Sequence, residues 1–141
     1  MQKWFECTIK YEKQLEDGKL AKITERYLVD ALTFTEAEAR IIKEMKPFIS
    51  GEFEVANINP QKYSELFWNE KADKWFKTKV NFIVLDEEKG VEKKVANYML
   101  VQANDLKEAR ELLVEGMKGS MADWEIASIS ETKILDVYKY I

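Results

Sequence analysis

The stretch KADKWFKTK, from Lys71 to Lys79, comes nearest in this chain to a recognisable chemistry. Lys71, Lys74, Lys77 and Lys79 surround Trp75 and Phe76, a composition in which cations meet phosphates while a ring stacks on a base. In an extended strand Lys77 and Lys79 share the face of Trp75, as a stacking platform requires. Against it, the matching stretch near the N-terminus carries Glu6 and Thr8 at the lysine positions, the net charge is -4, and no RNP, KH or helix-turn-helix signature is present. Binding of single-stranded nucleic acid or a nucleotide is therefore the alternative expectation.

Catalysis has less to build on. The chain contains no histidine, so the commonest general base and transition-metal ligand is missing. Cys7, the single cysteine, falls on the apolar side of a strand, where a thiol is inert. The carboxylates of DEEK (Asp86 to Lys89) belong to a hairpin turn, and Glu36, Glu38 and Glu44 to the solvated side of a helix. GMKGS, Gly116 to Ser120, looks like a phosphate loop but follows a helix, at the wrong end of the dipole. The expectation is a protein that is not an enzyme and holds no metal or cofactor, an enzyme of unknown class being the third reading after binding of a protein and binding of nucleic acid.

Composition agrees with a folded binding protein. The chain has 141 residues, 46% hydrophobic and 12% aromatic, enough apolar side chain for a core without disulfides. One cysteine, an N-terminus without an apolar leader, and no apolar run approaching the ~18 residues of a membrane span point to the cytoplasm and to no membrane.

The elements that must position these residues are spelled twice. At an offset of 71, Trp4, Phe5, Ile9 and Tyr11 fall on Trp75, Phe76, Val80 and Phe82. From the hairpin glycines Gly18 and Gly90 the offset is 72, carrying Val29 onto Val101, Glu36 onto Glu108 and Ile41 onto Leu113. It returns to 71 where FEVANINPQKYSELF from Phe53 meets WEIASISETKILDVY from Trp124. Matches in order, with slips only at turns, read as a duplicated unit.

Each unit reads strand, strand, helix, strand, strand. Phe5, Cys7, Ile9 and Tyr11 alternate with Trp4, Glu6, Thr8 and Lys10, the period of a sheet with one apolar face. Asp17-Gly18 and Lys89-Gly90 signal hairpins. Thr33 with Glu36, and Asp105 with Glu108, have capping-box spacing, and the helices present the stripes Phe34, Ala37, Ile41, Met45 and Leu106, Ala109, Leu113, Met117. Short strands follow around Phe53 to Ile58 and Glu65 to Trp68, then Trp124 to Ile129 and Leu135 to Tyr140. The fold expected is α+β: two tandem β-β-α-β-β units, residues 1–69 and 70–141, each an antiparallel sheet under one helix, packed through a shared interface.

The face away from each helix decides how the units are used. It carries Trp4 and Leu28 in the first unit and Trp75, Tyr98 and Leu100 in the second, residues that want cover from the other unit or another protomer. With Lys77 and Lys79 they are the candidate interface or binding residues.

WFECTIKYEKQLEDGKLAKITERYLVDALTFTEAEARIIKEM, with GVEKK, YMLVQANDLKEAR, GMKGSMADWEI and SISETKI, resembles an uncharacterised domain family of Bacteroides-type gut bacteria and their phages and mobile elements, over nearly the whole chain. The resemblance transfers no catalytic or ligand-binding residue. It implies a small protein of a phage or mobile element with a binding, inhibitory or regulatory role. The function expected is accessory: engagement of an unidentified protein partner, or of a second copy, through sheet faces and strand edges.

Overall fold

The computed structural model describes residues 3–141. In chain order the elements are β1 (Lys3–Gln14), β2 (Leu20–Ala31), α1 (Phe34–Met45), β3 (Phe53–Gln61), β4 (Glu65–Phe67), β5 (Lys74–Asp86), β6 (Val91–Ala103), α2 (Leu106–Gly116), β7 (Asp123–Glu131) and β8 (Ile134–Tyr138). The protein is α+β, with two helices and two mixed four-stranded sheets, ordered β3-β1-β2-β8 and β4-β6-β5-β7.

The local elements form for the reasons their residues supply. Gly18 and Gly90 take positive φ angles of 82° and 64° in the hairpin turns, a region open to glycine. The second hairpin has strands of 13 residues where the first has 12, which is where the repeat offset changes. The Thr33 hydroxyl accepts from the Glu36 amide at 3.2 Å, and the Asp105 carboxylate from the Glu108 amide at 2.8 Å, closing both helix N-termini. The glutamates do not complete the box. Glu36 pairs with Arg40 one turn on, at 2.7 Å, and Glu108 accepts from the Asn104 amide at 3.0 Å.

Each helix covers one face of its sheet. Ala37, Ile41 and Met45 of α1 pack with Phe5, Cys7, Ile9, Tyr27 and Val29; Ala109, Leu113 and Met117 pack with Phe76, Val80, Met99 and Val101. Phe34 and Leu106, expected to head those stripes, are instead more than half exposed, at 53% and 54%. Both are the first residue of their helix, where the Cα–Cβ bond leans toward the N-terminus and away from the following turns.

The fourth strand of each sheet differs from expectation. β8 pairs with β2 and β4 with β6, both in parallel, so the sheets are not wholly antiparallel and each short strand joins the sheet of the other half. The compact units accordingly comprise the chain to Lys62 with Lys133–Ile141, and Tyr63–Thr132, rather than a division at 69/70. Link length gives the reason. Reaching the open side of β2 from β3 means passing three strand spacings, about 14 Å in a straight line. Lys62 to Ser64 extends to about that distance at most, with nothing left to arch over side chains. Between β7 and β8 there are only Thr132 and Lys133.

A polar side chain fixes the segment after each short strand. Asp30, fully buried at the end of β2, accepts from the Tyr140 and Ile141 amides at 2.7 and 3.1 Å. Arg40 of α1 lies 3.7 Å from the Asp30 carboxylate and donates to the Asp30 carbonyl at 2.5 Å, with its guanidinium 4.6 Å from the Tyr140 ring centre. At the matching position of β6, Gln102 accepts from the Asn69 amide and donates to the Ala72 carbonyl, both at 3.0 Å.

Replacing Asp30 with Ala leaves the Tyr140 and Ile141 amides without their acceptor and takes the carboxylate from beside Arg40, which keeps Glu36, so a loss of about 1–3 kcal/mol is expected in urea unfolding, with Asp30→Asn losing less. A loss under about 0.5 kcal/mol for Asp30→Ala removes the clamp from the list of stabilising contacts.

Candidate binding surfaces

On the face of the second sheet away from α2, strand register brings Lys77 beside Leu100 and Lys79 beside Tyr98, with Ser130 and Ser128 of β7 on their other side. The Lys77 ammonium lies 4.9 Å from the Tyr98 ring centre, and Tyr98 is 37% exposed. Trp75, on the same face, is not a stacking platform. It is 1% exposed and meets the edge of Trp68 at 5.2 Å between ring centres, with an interplanar angle of 88°. Thr132 fixes its backbone, donating to the Trp75 carbonyl from its amide and its hydroxyl at 2.9 and 2.8 Å. Leu28 and Leu100 have no exposed surface, whereas Trp4 is half-buried. In the parallel register Leu28 lies beside Val137 of β8 and Leu100 beside Leu66 of β4, so the incoming strands flank them. Trp4 and Leu28 belong to the first sheet.

The titratable groups are arranged for structure. Cys7 is fully buried, and burial first, then the Glu6 carboxylate, push its thiol up to about 12, which leaves almost no thiolate near neutral pH. Glu125 is held below the ordinary carboxylate range by hydrogen bonds from Lys94 and Asn81, a surface arrangement. Among the described residues no group of three or more His, Cys, Asp or Glu is placed to hold a metal ion, and no helix is long and apolar enough to cross a membrane.

Reading the repeat for its identities misses what its differences build. In the first unit the rings of Tyr27 and Tyr138 stack at 6.0 Å, the Tyr27 hydroxyl donates to Glu25 at 3.3 Å, and the Tyr140 hydroxyl donates to Glu44. Burial, then the Glu25 carboxylate, push Tyr27 upward; burial, then Asp136, Glu44 and Glu25, push Tyr138 up to about 12. The matching residues of the second unit are Met99 for Tyr27, Phe67 for Tyr138, Phe82 for Tyr11, Asn97 for Glu25 and Gly116 for Glu44. There the chain forms a cleft of about 560 Å³ between the end of α2 and the sheet. Phe67, Phe82, Met99 and Met117 give it apolar walls, and Ser64, Glu65, Asn97, Lys118 and Ser120 polar ones. The GMKGS segment is its rim: a helix C-terminus, closed by Gly119 at a φ of 88°. Gly116 is required by the Phe67 ring, which a Cβ at that position would meet at 2.3 Å.

The sequence profile of a family described as Domain of unknown function (DUF4494) matches residues 3–140. The chain belongs to this family. No curated protein matches it. Both four-stranded sheets, the tyrosine cluster and the cleft of this DUF4494 protein therefore lie within the matched span.

Two outcomes test this geometry. Because Tyr138 ionises near its ordinary 10.0 in the unfolded chain and only at about 12 in the folded one, its contribution to stability is complete below pH 10 and is lost as pH rises through that window. Tyrosinate absorbance should lag in the native protein and jump with alkaline unfolding; smooth titration of every tyrosine before unfolding contradicts the burial of this cluster. Gly116→Ala should cost about 1–3 kcal/mol by overpacking against Phe67, read as a lowered Tm.

Proposed function

We propose that this DUF4494 protein is a non-enzymatic binding protein that engages a protein partner by strand addition at the open edge of β7. The observation that carries this reading is β7 itself: nine residues at the end of a sheet, paired only with β5 among the described residues. Its Ala127, Ser128 and Ser130 are exposed, and no charged residue lies between Glu125 and Glu131. Such an edge offers a row of backbone donors and acceptors to an extended segment. The counterpart β3 carries Pro60, which lacks an amide hydrogen, so β7 is the better template.

Further proposals accompany it. The two units descend from one duplicated β-β-α-β-β motif, supported by matched caps, the matched clamps at Asp30 and Gln102, and matched bulges at Thr8/Ile9 and Lys79/Val80. The protein acts in the cytoplasm as an accessory factor of a phage or mobile element, which the family resemblance supports. Nucleic-acid binding is not preferred, since the ring that would stack, Trp75, is interior and the Lys77 ammonium already lies over Tyr98.

The test compares wild-type protein with the Ser128→Lys, Ser130→Lys double variant in affinity capture from the native host, followed by amide hydrogen exchange of the recovered complex. A partner lost with the double variant, together with slowed exchange across Asp123–Glu131 in the wild-type complex, is the expected result. Equal capture by both proteins, or unchanged exchange in β7, contradicts it.

A further inference from the structure

We infer that the cleft between the end of α2 and the second sheet is a specificity pocket for a tyrosine side chain presented by a protein partner. This rests on the reading of the chain as a binding protein and adds the chemical class that its partner must offer.

The inference comes from comparing the same place in the two units. In the first, Tyr27 occupies the position of Met99, stacks on Tyr138 and donates its hydroxyl to Glu25. In the second, a flexible thioether stands at that position, the Phe67 ring lies against Gly116 at the position of Glu44, and a cleft of about 560 Å³ opens beside them. The lining suits the missing group. Phe67 supplies the ring corresponding to Tyr138, Phe82 a second ring, and Met99 and Met117 polarizable sulfurs that pack well against aromatic groups. Asn97 stands at the position of Glu25, whose carboxylate accepts the hydrogen bond of the Tyr27 hydroxyl. Its side-chain amide both donates and accepts, so it can meet a phenol hydroxyl from outside, with Ser64, Glu65, Lys118 and Ser120 as the other polar lining. At about 560 Å³ the cleft exceeds one side chain, leaving room for the backbone that presents it.

The methionines make the test direct, since Met99 and Met117 line the cleft while Met45 is buried in the first unit and Met121 is fully exposed. Protein carrying 13C-methyl methionine is titrated with N-acetyl-tyrosine amide, and with the phenylalanine and alanine analogues. Saturating shifts of Met99 and Met117, with Met45 and Met121 unmoved, are expected. The phenylalanine probe should bind about threefold to tenfold more weakly, as should the tyrosine probe to Asn97→Ala, the loss of one hydrogen bond. Shifts at Met99 and Met117 no larger than at Met121, or equal shifts with the alanine probe, overturn the inference. Wild-type protein alone gives these outcomes, so the conclusion does not depend on any variant folding. The Ser128→Lys, Ser130→Lys protein should titrate like wild type. If β7 proves not to be the docking edge, the cleft result is unaffected; if the cleft fails, β7 is still judged by its own capture experiment.

Discussion

The parallel addition of a short strand to the second strand of each hairpin is the constraint from which the rest of the architecture follows. β8 on β2 and β4 on β6 convert two three-stranded antiparallel sheets into mixed four-stranded ones. They place Val137 and Leu66 beside Leu28 and Leu100, the leucines turned away from the helices. They also determine which backbone is left over: β3 and β7, each nine residues long, remain as the long edges. Strands of five and three residues are too short to hold by ladder bonds alone, and the clamps at Asp30 and Gln102 extend their attachment into the following segment.

Much of this was legible in the residues. Period-two alternation marked the helix-covered face of each first strand, Gly18 and Gly90 marked the hairpins, and Thr33 and Asp105 marked the helix starts, because each depends on interactions within a few residues along the chain. Strand exchange was not legible. Nothing in ELF or ILDVY states which β-edge it will occupy; link length decides that, and it acts only once the sheet widths are known. Trp75 shows a similar limit. Alternation placed it correctly on the face opposite α2, but whether that face is covered is a tertiary property, and the ring is interior. The cleft was legible in principle. Comparing Tyr27 with Met99 and Glu44 with Gly116 as differences, rather than seeking identities, marks the position where one unit is full and the other is not.

The two units differ most beneath the ends of their helices. The first unit fills the space beneath the end of its helix with tyrosines, the Tyr27 and Tyr140 hydroxyls donating to Glu25 and Glu44. The second replaces those rings and carboxylates with residues that make fewer demands on one another. Each helix and sheet pair has its own core.

The exchange of strands is most directly tested by nuclear Overhauser contacts in solution. Phe67 should show contacts to Val101, and Tyr138 to Val29, in the parallel register of β4 on β6 and β8 on β2. Contacts from Phe67 to β3 and from Tyr138 to β7, as in two ordinary antiparallel hairpins, with none to Val101 or Val29, would contradict it.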